Sequence, residues 1–85
     1  MAEQEIGLVT HYYDRIEVAA IRVTKGDLST GDKIHFNGHG TDFEQVVGSM
    51  QIDHAAVTKA KPGDEIGLKV DERVHEHDRV FKVVD

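Results

Sequence analysis

Eighty-five residues make one domain, spanning 1–85: enough chain to close a core and too little for a second. At 39% hydrophobic residues the chain reads as globular. It has no run of about 18 apolar residues to cross a membrane, and "MAEQEIGLV" lacks the basic and apolar regions of a signal peptide, so a cytoplasmic location is the expectation. A formal charge of −6 with ten scattered Lys and Arg argues against generic phosphate binding, and the absence of cysteine excludes disulfides and thiolate chemistry.

The first predicted strand covers Ile6 to Tyr12, with Ile6 and Leu8 facing one way and Val9 and His11 the other. Asp14-Arg15 is the expected hairpin tip. The next strand runs from Ile16 to Thr24, and its apolar run Val18, Ala19, Ala20, Ile21, Val23 reads as covered on both faces. Gly26-Asp27 and Gly31-Asp32 are turn signals that lead into a strand over Lys33 to Asn37, followed by the Gly-rich connection "NGHGTD". A fourth strand is predicted over Phe43 to Ile52, with Gly48 as a bulge or tight bend.

A short segment near Ala56 to Thr58 follows. Pro62-Gly63-Asp64 then forms a second turn-then-strand unit, because proline presets φ and glycine tolerates a positive φ beside it. It launches Ile66 to Val70, and Arg79 to Val84 is the last strand. Nothing reads as a long helix. Six or seven short strands with regular turn signals predict an all-β fold, a small Greek-key β-barrel. The expected core is Ile6, Leu8, Val18, Ala20, Ile34, Phe36, Val46, Met50, Ile52, Val57, Ile66, Leu68 and Val70. A one-residue change of register in strand two exchanges Val18 and Ala20 for Ala19, Ile21 and Val23.

Few residues suggest chemistry. His75 and His77 would share a face on a strand, but a catalytic zinc needs three protein ligands, and neither cysteine nor a well-spaced third histidine accompanies them. His35 and His39 have helical spacing across a segment that Asn37, Gly38 and Gly40 keep from being helical. Ser29, Thr41 and Ser49 have no base at an interpretable spacing. No metal, no cofactor and no enzymatic activity is therefore expected. Of Tyr12 and Tyr13, one ring should enter the core and the other face solvent, where it could stack on a base or dock a partner.

The ordered set Arg22, Val23, Gly26, Leu28, Gly31, Asp32, Ser49, Ala60, Gly63, Asp64 and Gly67 resembles domain II of the elongation factor Tu group of translational GTPases, over nearly the whole chain. In that family the barrel packs on a GTPase domain, helps hold the aminoacylated 3′ end of tRNA, and in related factors touches the small ribosomal subunit. The resemblance implies a non-catalytic binding module whose partner is tRNA, the ribosome or a translation-related protein. Its candidate surface is Arg22, Gln51, Gly63, Glu65 and Gly67. Gln51 stands where the family has a glutamate, and Glu65 where it often has asparagine. No Gly-x-x-x-x-Gly-Lys-Ser/Thr loop is present, so no GTP binding is expected. The alternative is a protein–protein adaptor barrel with no nucleic-acid role, like the accessory barrels of larger enzymes; the acidic balance favours it.

Overall fold

The structure, a computed structural model, describes residues 2–84. Among these residues the chain is all β, with ten strands: β1 Ala2–Tyr13, β2 Val18–Val23, β3 Leu28–Ser29, β4 Lys33–Gly38, β5 Thr41–Val46, β6 Met50–Ile52, β7 Ala55–Val57, β8 Lys59–Ala60, β9 Glu65–Lys69 and β10 Arg79–Val84. Eight of them form one antiparallel sheet in the order β5-β4-β10-β1-β2-β9-β6-β7, while β3 and β8 pair as a small separate ribbon. The expected all-β class holds. The closed barrel does not appear as a ring of pairings, because β5 and β7 are the two edges of the sheet.

The longest strand departs from its predicted form. β1 begins at Ala2 rather than Ile6, since the polar stretch Ala2 to Glu5 finds ladder partners in Phe81 to Val84. Register shifts fall between Glu5 and Gly7 and between Val9 and His11. Such bulges interrupt the period of two, so Ile6 and Val9 are both buried and Leu8 is only half-buried. Gly7 lies where β1 crosses closest to β2: a Cβ there would overlap the carbonyl oxygen of Arg22.

In β2 the alternative register is the real one. Ala19, Ile21 and Val23 are buried, and Val18 and Ala20 lie half-buried on the opposite face. The predicted fourth strand is two strands, because the chain leaves the ladder at Val47 to Ser49. That break puts Val47 in the core and leaves Val46 59% exposed, the reverse of the expectation for Val46. Ile52 and Val57 pack against the core without being buried. Leu28, Ala60, Val74 and Val80 complete it, each escaping a reading based on long alternating runs. Fully burying each large aliphatic or aromatic side chain stabilises the fold by about 1.5–3 kcal/mol.

Three turns of one design fasten the sheet. In Ser29–Asp32, Lys61–Asp64 and His75–Asp78 the aspartate amide donates to the first residue's carbonyl, and the aspartate Oδ2 accepts that residue's amide at 2.8–3.1 Å. The third residue has positive φ: 92° at Gly31, 96° at Gly63 and 73° at His77. Its amide donates to the carbonyl of a buried valine, and that valine's amide donates back to the aspartate carbonyl. The valines are Val47, Val23 and Val9 respectively, with all six bonds at 2.8–2.9 Å. Each clasp leads directly into a strand: β4, β9 and β10. The first two were legible as Gly-Asp turns; the third was not, because histidine replaces glycine.

Candidate binding groove

One face of the sheet carries a groove of about 410 Å³ across β2, β9 and β6. Its floor is made of small residues: Val18 and Ala20 on β2, and Gly67 on β9 paired with Ala20 on one side and Gln51 on the other. A Cβ at Gly67 would meet only Val18 Cγ1, at 3.5 Å, so the missing side chain is what keeps the trough open. One end is walled by Tyr13 and Ile16, carried by the β1–β2 hairpin, which turns through residues 14–17 with Glu17 at φ 57°. Tyr13 is 49% exposed and Ile16 62% exposed. The His11 ring braces Tyr13 edge-on with centroids 4.5 Å apart.

The polar lining includes two carboxylates. Asp53 and His54 form the two-residue β6–β7 turn, both at positive φ (51° and 65°) as a primed hairpin turn requires. Glu65 begins β9, and the Thr10 hydroxyl lies 2.9 Å from its Oε2 and 3.1 Å from the Ala20 carbonyl, both able to accept its single proton. Among the described residues neither Asp53 nor Glu65 has a cationic side chain within salt-bridge distance.

Of the sequence-derived surface, Gln51, Glu65 and Gly67 meet in this groove. Arg22 is exposed beside it, in register with Glu65. Gly63 lies apart, in its clasp turn. The Asp53-His54 turn and the hairpin wall of Tyr13 and Ile16 were missed as parts of one site. Their signal was weak: apolar residues on both sides of a polar hairpin tip.

A second, larger and shallower cleft of about 740 Å³ is lined by Gly26, Asp27, Lys59, Ala60, Lys61, Pro62 and Asp64. Its Asp27 and Lys59 are already matched. Asp27 pairs with Lys59 at 3.4 Å and Lys82 at 3.5 Å, and Lys82 also reaches Asp32 at 3.3 Å. A hydrogen bond from Lys59 and its charge hold the Asp27 carboxyl below the usual range.

The histidines serve structure. Glu3, His35 and Glu44 offer donor atoms within 4.8 Å of one another, a set that could hold a metal. Both His35 nitrogens, however, meet carboxylates: Asp42 at Nε2 (2.5 Å) and Glu3 at Nδ1 (2.8 Å). Those two bonds, Asp42's the larger, raise the His35 pKa and favour an imidazolium, while Lys33 holds Glu44 at 3.0 Å. His75 and His77 lie in a turn rather than on a strand. The expectation that Thr41 lacks a base is corrected: its hydroxyl lies 2.9 Å from His75 Nδ1. Thr41 is only 4% exposed, though, so a substrate carbonyl has no line of approach.

This all-β fold is shared with solved domains of another protein. It superposes on two crystal structures of the C-terminal domain of a Geobacillus thermoleovorans protein described as a U32 peptidase, with TM-scores of 0.85 and 0.88 at 20% identity. They cover 91% and 95% of this chain and 96% and 93% of those domains. In sequence the chain is 44% identical over 78 residues to an uncharacterized protease of Methanocaldococcus jannaschii and 30% identical over 78 residues to a collagenase of Porphyromonas gingivalis. Each match takes in 91% of this chain but only 19% and 22% of the relatives, so the chain spans about a fifth of their length. No protein-family model matches it.

These relatives overturn the elongation-factor resemblance and the translation role that came with it. The reason is physical. The matched Gly-Asp pairs report a turn with positive φ and an aspartate cap, which backbone geometry demands wherever such a turn feeds a strand. They record local shape rather than descent.

Proposed function

We propose that this domain is a non-catalytic accessory module of a larger peptidase-like protein, and that its groove over β2, β9 and β6 holds a polypeptide segment in extended form. The observation that carries the reading is the groove itself: a floor of small residues walled by exposed Tyr13 and Ile16, with Gln51 offering an amide that can donate and accept. An amphipathic trough on a sheet face suits the alternating side chains of an extended peptide. The similarity to proteins named protease and collagenase supports the choice of polypeptide, and the small share of their length supports an accessory role. The non-catalytic part rests on chemistry: the Thr41 hydroxyl beside His75 is buried and His35 is committed to two carboxylates. With this reading goes a curled Greek-key barrel whose open seam is drawn together by Gln45, which donates to the Lys69 carbonyl at 3.0 Å and accepts from the Asp71 amide at 2.8 Å.

The test is a titration of the labelled domain with gelatin-derived peptides and, separately, with bulk tRNA, followed by amide shifts. Saturable shifts at Tyr13, Ile16, Gln51 and Gly67 with the peptides are expected. A response of those residues to tRNA alone, or none to peptides at millimolar concentration, overturns the reading.

A further inference from the structure

The groove's charge is more informative than its shape. Its lining carries two carboxylates, Asp53 and Glu65, which lie two residues from the Gln51–Gly67 pair in the same direction along the antiparallel β6–β9 ladder, so both stand toward one end of the trough. The cations of this face, Arg22 and Lys69, sit on β2 and β9 beside the groove and do not line it. Several carboxylates elsewhere are neutralised, Asp27 and Asp32 by lysines, Glu44 by Lys33, Glu3 and Asp42 by His35, while among the described residues the exposed Asp14, Glu17, Asp71 and Glu72 are not. Among the described residues Asp53 and Glu65 have no such partner within salt-bridge distance, Arg22 stands opposite Glu65 in the ladder, and Tyr13 lies toward the other end of the groove, level with Val18 and Lys69.

Resting on the polypeptide reading above, we propose that the groove selects an extended segment bearing a basic residue, arginine or lysine, flanked by apolar ones. The aliphatic stem of the guest lies along Val18, Ala20 and Gly67. Its charged head reaches Glu65 or Asp53, while Tyr13 toward the other end takes an apolar neighbour of that residue. An acidic or phosphate-bearing ligand would meet two carboxylates at the same place.

The discriminating experiment uses three nine-residue peptides of alternating serine and valine, with arginine, glutamine or glutamate at the centre, titrated at low salt with amide shifts as the readout. The arginine peptide is expected to bind about fivefold tighter than the glutamine peptide, the upper size of one favourable exposed ion pair. The glutamate peptide should bind more weakly than either. The advantage should vanish in the Asp53→Asn, Glu65→Gln double variant, both positions lying at the surface, and shrink at high salt. Tyr13→Leu should weaken the arginine and glutamine peptides alike and leave the arginine preference unchanged. If arginine and glutamine peptides bind the groove equally, basic selectivity is overturned and the polypeptide reading stands. If no peptide shifts the groove, both fall.

Discussion

His77 occupies in its turn the position that Gly63 occupies in another, with the same hydrogen bonds and a φ of 73° against 96°. A β-carbon at such a φ costs about 1–2 kcal/mol, which the surrounding bonds to Val9 and Asp78 offset. His77→Gly should therefore raise stability by about 0.5–1 kcal/mol, the relief of strain less the extra freedom glycine has in the unfolded chain. Gly63→Ala should lower it. Urea midpoints of the two variants check the pair, and a destabilised His77→Gly would refute the equivalence of the turns.

The aspartates of the same turns differ in burial. Asp78 is 3% exposed, whereas the Asp64 bond to the Lys61 amide is solvent-exposed. Losing an acceptor that leaves a donor out of water costs more than losing one at the surface. Asp78→Ala is expected to cost about 2–3 kcal/mol and Asp64→Ala about 1 kcal/mol. Equal costs in chemical denaturation would contradict that ordering.

Gly7→Ala and Gly38→Ala should each destabilise by about 2–3 kcal/mol, because a Cβ would overlap the Arg22 carbonyl oxygen in one case and the Asp78 carboxylate in the other. Gly48→Ala meets nothing within 4 Å and should change stability by less than about 0.5 kcal/mol. Thermal melts of the three variants distinguish crowding from a general intolerance of substitution at glycine.

His35 couples stability to pH. Its folded pKa lies above the ordinary value of 6.5, through Asp42 first and Glu3 second. Lys33 and Glu44 are the other charges nearby, paired with each other. A raised folded value means the contribution is complete below pH 6.5 and is lost as pH rises through the folded pKa. His35→Asn should therefore cost more stability at about pH 5.5 than at about pH 8.5, read as urea midpoints at each pH. A difference independent of pH would mean that the ring acts by packing alone.

The sequence carried the strands more clearly than the site. Ile66 to Lys69 was legible because a turn and a clean alternation framed it, and Arg79 to Val84 showed as a short apolar-rich run without a recognised turn before it. β1 and β2 were harder: bulges at Glu5/Gly7 and Val9/His11 shift the alternation, and a run such as Val18 to Val23 is apolar on both faces. Gly48 looked like a bend within one strand and is part of a break between two. In the groove, Gln51, Glu65 and Gly67 had been singled out through a resemblance that does not hold, yet the ladder sets Gln51 beside Gly67. Tyr13 and Asp53 are far apart in sequence, and no local pattern announces that a hairpin tip and a two-residue turn will flank one trough.

The three clasps differ in how much chain lies between their halves. Asp32 and Val47 are near in sequence, Val23 and Asp64 are separated by about half the chain, and Val9 and Asp78 by most of it. Closing a loop costs about 0.6 kcal/mol more for each doubling of its length. Closure entropy alone would order assembly from the middle of the chain outward, and pulsed hydrogen exchange should then find the Val47 amide protected before that of Val9. A nascent chain ending after β9 already contains two complete clasps, and only the emergence of Asp78 lets its beginning be tied to its end.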